Sequence, residues 1–271
     1  MYAGGSGGLT IENGTAMTIG GSIYTGNGRA NLYVRGGSLL VTGNLTHGWD
    51  DGANIVVTGG TFAFNGTPQT YPWNGGAYSY SYGSGGRYLF TLTGGTMTVG
   101  ATGLSDFYWY YPYEMYLGGG TLSASASWGL SANTHLTGTG GNLTVNPAGF
   151  TITFNYSADG AGGLTVNGNG ILTLAAANNH TGPTTVTNGI LRVNNSLGLQ
   201  YSTLLMSNVV GGVAFNTGVA SMTLAGLGGF GDLTMTNQNG TALALTLGSA
   251  GSSTYSGCLR STAQVTKAGA G

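Results

Sequence analysis

Charged side chains are scarce in this chain of 271 residues. Six lysine and arginine residues and seven aspartate and glutamate residues make up 5% of the sequence, against about 25% in an average soluble domain. A chain with so few cations and a net charge of −1 lacks the clustered basic residues that nucleic acid binding requires. It also lacks the charge repulsion that keeps most proteins apart, so we expect self-association, either end to end or laterally.

Cysteine, proline and long apolar runs are also scarce. The one cysteine, Cys258, excludes a disulfide within the chain, and with no evident partner base it is predicted to be buried or inert. Five prolines and no Gly-X-Y period exclude a collagen helix. No run approaches the roughly 18 apolar residues of a membrane-spanning helix, so we expect no membrane insertion. The start of the chain does not resemble a signal peptide, which suggests a segment cut from a longer protein.

Glycine is abundant, with 55 residues, but the sequence does not resemble a disordered chain. Hydrophobic residues make up 41% of it, whereas disordered chains are poor in apolar residues. Threonine, leucine, valine and tyrosine dominate the other positions, and most of these favour strands. The composition therefore predicts an all-β protein of many short strands joined by glycine turns.

A Gly-Gly-(Ser/Thr)-apolar element recurs in the first half of the chain. Copies begin at Gly36, Gly59, Gly94 and Gly119, so they lie 23, 35 and 25 residues apart, and a strand-like run precedes each one. A strand, a glycine corner and a second strand would form most of one rung of a solenoid. We use rung for one complete turn of the chain around the solenoid axis and expect about 22 residues in each.

Apolar residues alternate with polar ones in these strands. In the segment 96–99, Met97 and Val99 share one face and Thr96 and Thr98 share the other. The pattern predicts a β-solenoid with apolar side chains stacked inside and hydroxyl ladders outside, divided into residues 1–130 and 131–271. The same alternation places these pairs inside: Leu143/Val145, Ile152/Phe154, Leu164/Val166, Leu172/Leu174, Leu191/Val193 and Leu245/Leu247.

Two aromatic-rich insertions, at about 67–87 and 104–116, interrupt the regular spacing. Exposed aromatic patches often mark contact sites, because these side chains offer a large contact area with a polar handle. Stacking on glycans, packing against another protein and folding back over the solenoid all remain open. The candidate interaction residues are Tyr71, Trp73, Tyr78, Tyr80, Tyr82, Phe107, Tyr108, Trp109, Tyr110, Tyr111 and Tyr113.

One segment of the second half carries a recognisable motif. It contains Leu164-Thr165, Gly168, Gly170, Leu172-Thr173-Leu174, Asn178, Thr181-Gly182, Thr184-Thr185-Val186 and Gly189-Ile190-Leu191. These residues resemble the autotransporter-associated β-strand repeat of large secreted bacterial surface proteins, although His180 replaces the usual tyrosine and Pro183 a frequent glycine. A second copy is expected to start at Val265, so the pattern predicts that residues 131–271 end in mid-repeat. The resemblance implies a right-handed parallel β-helix, export to the cell surface or medium, and a role as stalk, adhesin or scaffold.

Residues that could carry chemistry are few and scattered. Asp50 and Asp51 are the only adjacent acids, and a polysaccharide-degrading β-helix would need two carboxylates that converge on its substrate. The histidines His47, His135 and His180 show no metal-ligand spacing. We therefore expect no catalytic site, metal or cofactor, and classify the chain as a non-enzyme.

Threonine pairs offer a further, weaker possibility. The pairs Thr91/Thr93, Thr96/Thr98, Thr151/Thr153 and Thr234/Thr236 could form a hydroxyl array such as ice-binding solenoids use, but as spaced in the sequence they are irregular. Threonine ladders that stabilise the outer face are the simpler interpretation. The sequence thus favours an extracellular structural solenoid, a filament-forming or stalk segment, with a glycan-binding adhesin as the alternative.

Overall fold

A computed structural model describes residues 8–21, 23–24, 30–43, 45–47, 53–65, 69–70, 88–101, 103–105, 114–207, 212–248 and 252–269. These residues form 28 strands, β1 to β28 in chain order, and no helix among them is long and apolar enough to cross a membrane. The predicted all-β class is confirmed.

The strands are distributed over one large sheet and three smaller ones. The largest contains β1 (Gly8–Ile11), β2 (Ala16–Ile19), β4 (Ala30–Val41), β6 (Ala53–Phe64), β8 (Tyr88–Leu92), β9 (Thr96–Val99), β11 (Glu114–Leu117), β12 (Thr121–Ala124), β14 (Asn133–Leu136), β15 (Leu143–Asn146), β17 (Ala158–Asp159), β18 (Leu164–Val166), β20 (Thr184–Val186), β22 (Leu199–Met206), β24 (Ser221–Gly229), β26 (Ala244–Leu247) and β28 (Val265–Lys267). The second contains β10 (Leu104–Ser105), β13 (Trp128–Ser131), β16 (Thr151–Phe154), β19 (Ile171–Leu174), β21 (Ile190–Val193) and β23 (Val213–Phe215). The others are β3 (Ile23–Tyr24), β5 (Leu45–His47) and β7 (Gln69–Thr70), and the pair β25 (Leu233–Thr234) and β27 (Leu259–Arg260).

Strands of successive rungs pair in parallel. The register joins Ala16 to Ser38, 22 residues apart, and Leu164 to Thr184, 20 residues apart. The step from Thr61 to Thr96 is longer, 35 residues, because it includes the first predicted insertion. The rungs form a β-solenoid of about nine turns. The repeat spacing predicts the solenoid class correctly, but about 22 residues per rung over 271 residues gives about 12 rungs, which is more than the structure describes. The predicted right-handed sense stays a prediction.

The core follows the predicted alternation along each strand. Met97 and Val99 of β9 are fully buried, while Thr96 and Thr98 are half-exposed. All the pairs predicted to lie inside are buried except that Leu247 is only half-buried. Burying each such side chain stabilises the fold by roughly 1.5–3 kcal/mol, so the stack along the axis is the main source of stability.

Stacked glycines form the corner between two strands of a rung. Gly60 and Gly95 both adopt φ +69°, a left-handed conformation that favours glycine. A Cβ atom on Gly60 would overlap the carbonyl oxygen of Gly37 in the rung below. The repeated Gly-Gly element is therefore required by both backbone conformation and the close approach of rungs.

Candidate functional surface

The predicted aromatic interaction residues lie outside the described residues. This holds for Tyr71, Trp73, Tyr78, Tyr80, Tyr82, Phe107, Tyr108, Trp109, Tyr110, Tyr111 and Tyr113, so their assignment as contacts stays a prediction. Asp50 and Asp51 also lie outside them. Tyr116, at the end of the second predicted insertion, belongs to β11 and is 37% exposed.

Next to Tyr116, a histidine is held between two carboxylates on the outer face of the largest sheet. His135 lies in register with Tyr116 of the rung below and Asp159 of the rung above. Its Nδ1 atom is 2.6 Å from Asp159 Oδ1, and its Nε2 atom is 2.8 Å from Glu114 Oε2. The Tyr116 ring packs beside the imidazole at 4.9 Å between centroids. We call Glu114, His135 and Asp159 the histidine clasp.

The histidine clasp favours the imidazolium form. Burial alone would lower the pKa of His135, but its hydrogen bonds to Glu114 and Asp159 raise that pKa above its ordinary value. The protonated ring donates through both nitrogens and so joins three successive rungs. Because the imidazole fills the space between the carboxylates, they do not form an open acid–base pair across a substrate. This cluster could not be found in the sequence because its successive members are 21 and 24 residues apart, one on each rung.

A second histidine, His180, lies inside the solenoid, and its pKa is shifted in the opposite direction. It is 1% exposed, and its Nε2 atom is 3.0 Å from Thr184 Oγ1. Thr184 Oγ1 is 2.9 Å from Ser202 Oγ, which donates to the Gly182 carbonyl oxygen at 2.7 Å. Since Ser202 uses its proton on Gly182, Thr184 donates to Ser202 and accepts from His180 Nε2–H.

This hydrogen-bond direction fixes the neutral form of His180. The proton sits on Nε2, and Nδ1 is buried without a hydrogen-bond partner among the described residues. A proton on Nδ1 would therefore find no acceptor. Burial lowers the pKa of His180 from 6.5 to about 4.

Asn178, two residues earlier in the predicted motif, joins the backbones of three rungs. Its Oδ1 atom accepts from the Ala158 N–H at 2.7 Å, and its Nδ2 atom donates to the Gly198 carbonyl at 3.0 Å. Asn178 is itself 2% exposed. The motif therefore requires asparagine here because an amide side chain both accepts and donates.

A regular polar surface covers one side of the largest sheet over five rungs. Two columns of polar side chains run along the solenoid axis at the positions that alternate with the core, and neither contains a charged residue. All of them are half-exposed or exposed except Ser123, which is buried. We call this surface the threonine face. Column one contains Thr96, Thr121, Thr144, Thr165 and Thr185, and column two contains Thr98, Ser123, Asn146, Asn167 and Thr187.

Two further features concern chemistry. Cys258, predicted to be buried or inert, is not buried but exposed, because it lies directly before β27 in the last described rung, where Leu259 and Arg260 are also exposed. Its N–H donates to Asp232 Oδ1 at 2.9 Å, and Asp232 also pairs with Arg260. Among the residues that the structure describes, no group of three His, Cys, Asp or Glu side chains is placed to hold a metal ion.

Comparison with known proteins connects the motif to a family. Residues 164–193 match the family described as passenger-associated-transport-repeat. The chain carries an autotransporter passenger-type repeat. The match includes Asn178 and His180, so these two buried polar residues belong to the repeat itself.

One curated relative and the solved structures add context. The chain is 33% identical over 150 residues to a protein named adhesin BmaC autotransporter from Brucella suis biovar 1 (strain 1330). The alignment covers 48% of this chain but 4% of that protein, so the matched region is a small part of the relative's length. No solved structure matches the chain.

Proposed function

We propose that this chain is a structural stalk segment of an exported bacterial surface protein. The observation that supports the proposal is the parallel pairing of successive rungs around one apolar core, in a solenoid of about nine turns. At ~4.8 Å per rung, these rungs form a rod about 43 Å long. Backbone hydrogen bonds run along the whole axis, so the rod resists stretching and bending.

The relationship to a much longer adhesin supports this role. Passenger-type repeats in a chain that spans 4% of its relative suit a unit that adds length between a membrane anchor and a distant contact site. The same relationship supports localisation at the cell surface or in the medium, and a structural or adhesive role instead of catalysis. The histidine clasp fits that role, since it joins rungs together.

End-to-end association is a finer part of the proposal. In the last described rung Leu259 is 38% exposed and Val265 44% exposed, and all of β28 is exposed. Unpaired strand edges template further strands. A further rung, from the same chain or from a second copy, would cover these apolar side chains. With few charges to oppose it, such stacking would build filaments.

Negative-stain electron microscopy of the purified native material tests the stalk and filament proposals together. Long rods or filaments of uniform width support them. Compact particles without a rod would contradict both. Short rods that stay separate at micromolar concentration would support the stalk and refute the filament.

Glycan binding through the aromatic insertions is the second candidate function. Ten of the 16 tyrosines lie between residues 71 and 116, a concentration that a stalk does not require. Under this function, Trp73→Ala and Trp109→Ala abolish retention on a glycan array, while Tyr156→Ala and Tyr201→Ala leave it unchanged. The two control tyrosines are about half-exposed and lie on regular rungs. A chain that binds no glycan at all refutes this candidate and leaves the stalk intact.

A further inference from the structure

The threonine face differs from the hydroxyl array that the sequence suggested. Thr91 of β8 stacks between Val56 and Tyr116, in a different column from Thr96. Thr151 and Thr153 lie in β16 of the second sheet. The register instead stacks one threonine from each of five successive rungs in column one. Below Thr96 the column continues through Thr61 to Ser38. The result is a longer and more regular hydroxyl row than any segment of sequence contains.

The geometry of this face is a two-dimensional repeat. Rungs are ~4.8 Å apart along the solenoid axis. Along a strand, which runs across that axis, side chains two residues apart are separated by about 6.6 Å. Small, uncharged residues stand two positions before column one, so nothing charged or bulky flanks the row. They are Gly94, Gly119, Asn142, Gly163 and Pro183.

The hydroxyls of column one are not used inside the protein. Within the described part of the chain, none of these five threonine hydroxyls makes a hydrogen bond. Other hydroxyls do join neighbouring rungs, as when Thr187 Oγ1 donates to the Val166 carbonyl at 3.0 Å. Column one therefore offers a line of hydroxyls, each able to donate one hydrogen bond and accept two.

We propose that the threonine face binds the surface of ice. An ice surface is an uncharged lattice of hydrogen-bond donors and acceptors with a constant repeat. The threonine face has the same two features, because its groups are uncharged and one hydroxyl stands on each successive rung. The hydroxyls are held by strands instead of flexible loops, so little side-chain freedom is lost on binding. Charged groups would hold their own hydration shells and disturb the lattice, and this face has none. The stalk role neither requires nor excludes this activity.

Two measurements on the full chain test the proposal. The first is its partition into slowly growing ice, and the second is its depression of the freezing point below the melting point. The wild-type chain should enter the ice and depress the freezing point. Thr144→Tyr and Thr165→Tyr, in the middle of column one, should abolish both effects because a ring protrudes from the repeat. Thr153→Tyr is the matched control, since Thr153 is a half-exposed strand threonine on the second sheet.

A second variant and fold measurements keep the result interpretable. Thr144→Lys places a hydrated charge on the face and should abolish ice partition even if the tyrosine variants do not fold. Circular dichroism should be the same for wild type, Thr144→Lys and Thr153→Tyr. Exclusion of the wild type from ice overturns the proposal, and so does an equal loss in Thr153→Tyr. A third outcome also overturns the proposal: the wild type stays out of ice but is retained on an insoluble polysaccharide, and Thr144→Lys abolishes that retention. The threonine face would then be assigned to glycans.

Discussion

Acid should destabilise the solenoid through a single buried residue, His180. Its pKa is about 4 in the folded chain and 6.5 as an ordinary value. Between these values the unfolded state binds more protons than the folded state, so the free energy of unfolding falls as the pH falls. The shift corresponds to about 3 kcal/mol lost between pH 7 and pH 4, of which about 2 kcal/mol is lost by pH 5.

The physical cause is the direction of the hydrogen bonds around the ring. Nε2–H already donates to Thr184, and Nδ1 faces no acceptor among the described residues. Protonation would place a charge in the core without a counterion or a hydrogen bond. A loss of this size is a large part of the 5–15 kcal/mol that is typical of a folded domain.

Urea unfolding followed by circular dichroism at pH 7, 6 and 5 measures the effect. This range isolates histidine, because most carboxylates titrate below it. His180→Gln keeps a donor toward Thr184 but cannot titrate, so it should remove most of the pH dependence. A wild-type chain whose stability is unchanged from pH 7 to pH 5, or a His180→Gln chain that loses as much as the wild type, would refute the reasoning.

Three further predictions concern the other rung contacts. The pKa of His135 is raised in the folded chain. Its contribution to stability is therefore complete below pH 6.5 and is lost as the pH rises through the folded pKa. The difference in free energy of unfolding between wild type and His135→Gln should shrink from pH 6 to pH 9. Gly60→Ala should cost more than Gly14→Ala in thermal unfolding. Both glycines have positive φ, which costs an alanine about 1–2 kcal/mol, but only Gly60 also abuts the rung below. Asn178→Ala should lower the free energy of unfolding in urea by about 3 kcal/mol, because it leaves the buried Ala158 N–H and the buried Gly198 carbonyl without a hydrogen-bond partner. Equal costs for the two glycines, or an Asn178→Ala chain as stable as wild type, would contradict these contacts.

Contacts along one strand could be predicted from the sequence. Alternation placed Met97 and Val99 inside and Thr96 outside, because the side-chain period of a strand is fixed at two. The Gly-Gly corners at Gly60 and Gly95 were predictable for a similar reason, since few other residues adopt their backbone conformation.

Contacts between rungs could not be predicted in the same way. The histidine clasp depends on the register that places Tyr116, His135 and Asp159 in one column, and the step between rungs varies from 19 to 35 residues. Knowing the period only approximately leaves the partner of each outward residue open. The threonine face was missed for this reason, because its repeat runs across strands and not along them.

Deletion of one whole rung is the most direct test of the central claim that the chain is a modular parallel solenoid. Removing residues 164–183 spans one register step, from Leu164 to Thr184, and sets β20 on β15 with Val186 over Val145. Because each rung contacts only its neighbours, this variant should keep its circular dichroism spectrum and a cooperative urea transition. Removing residues 164–173, half a rung, should abolish the transition. Loss of folding in both deletions, or in neither, would contradict the account.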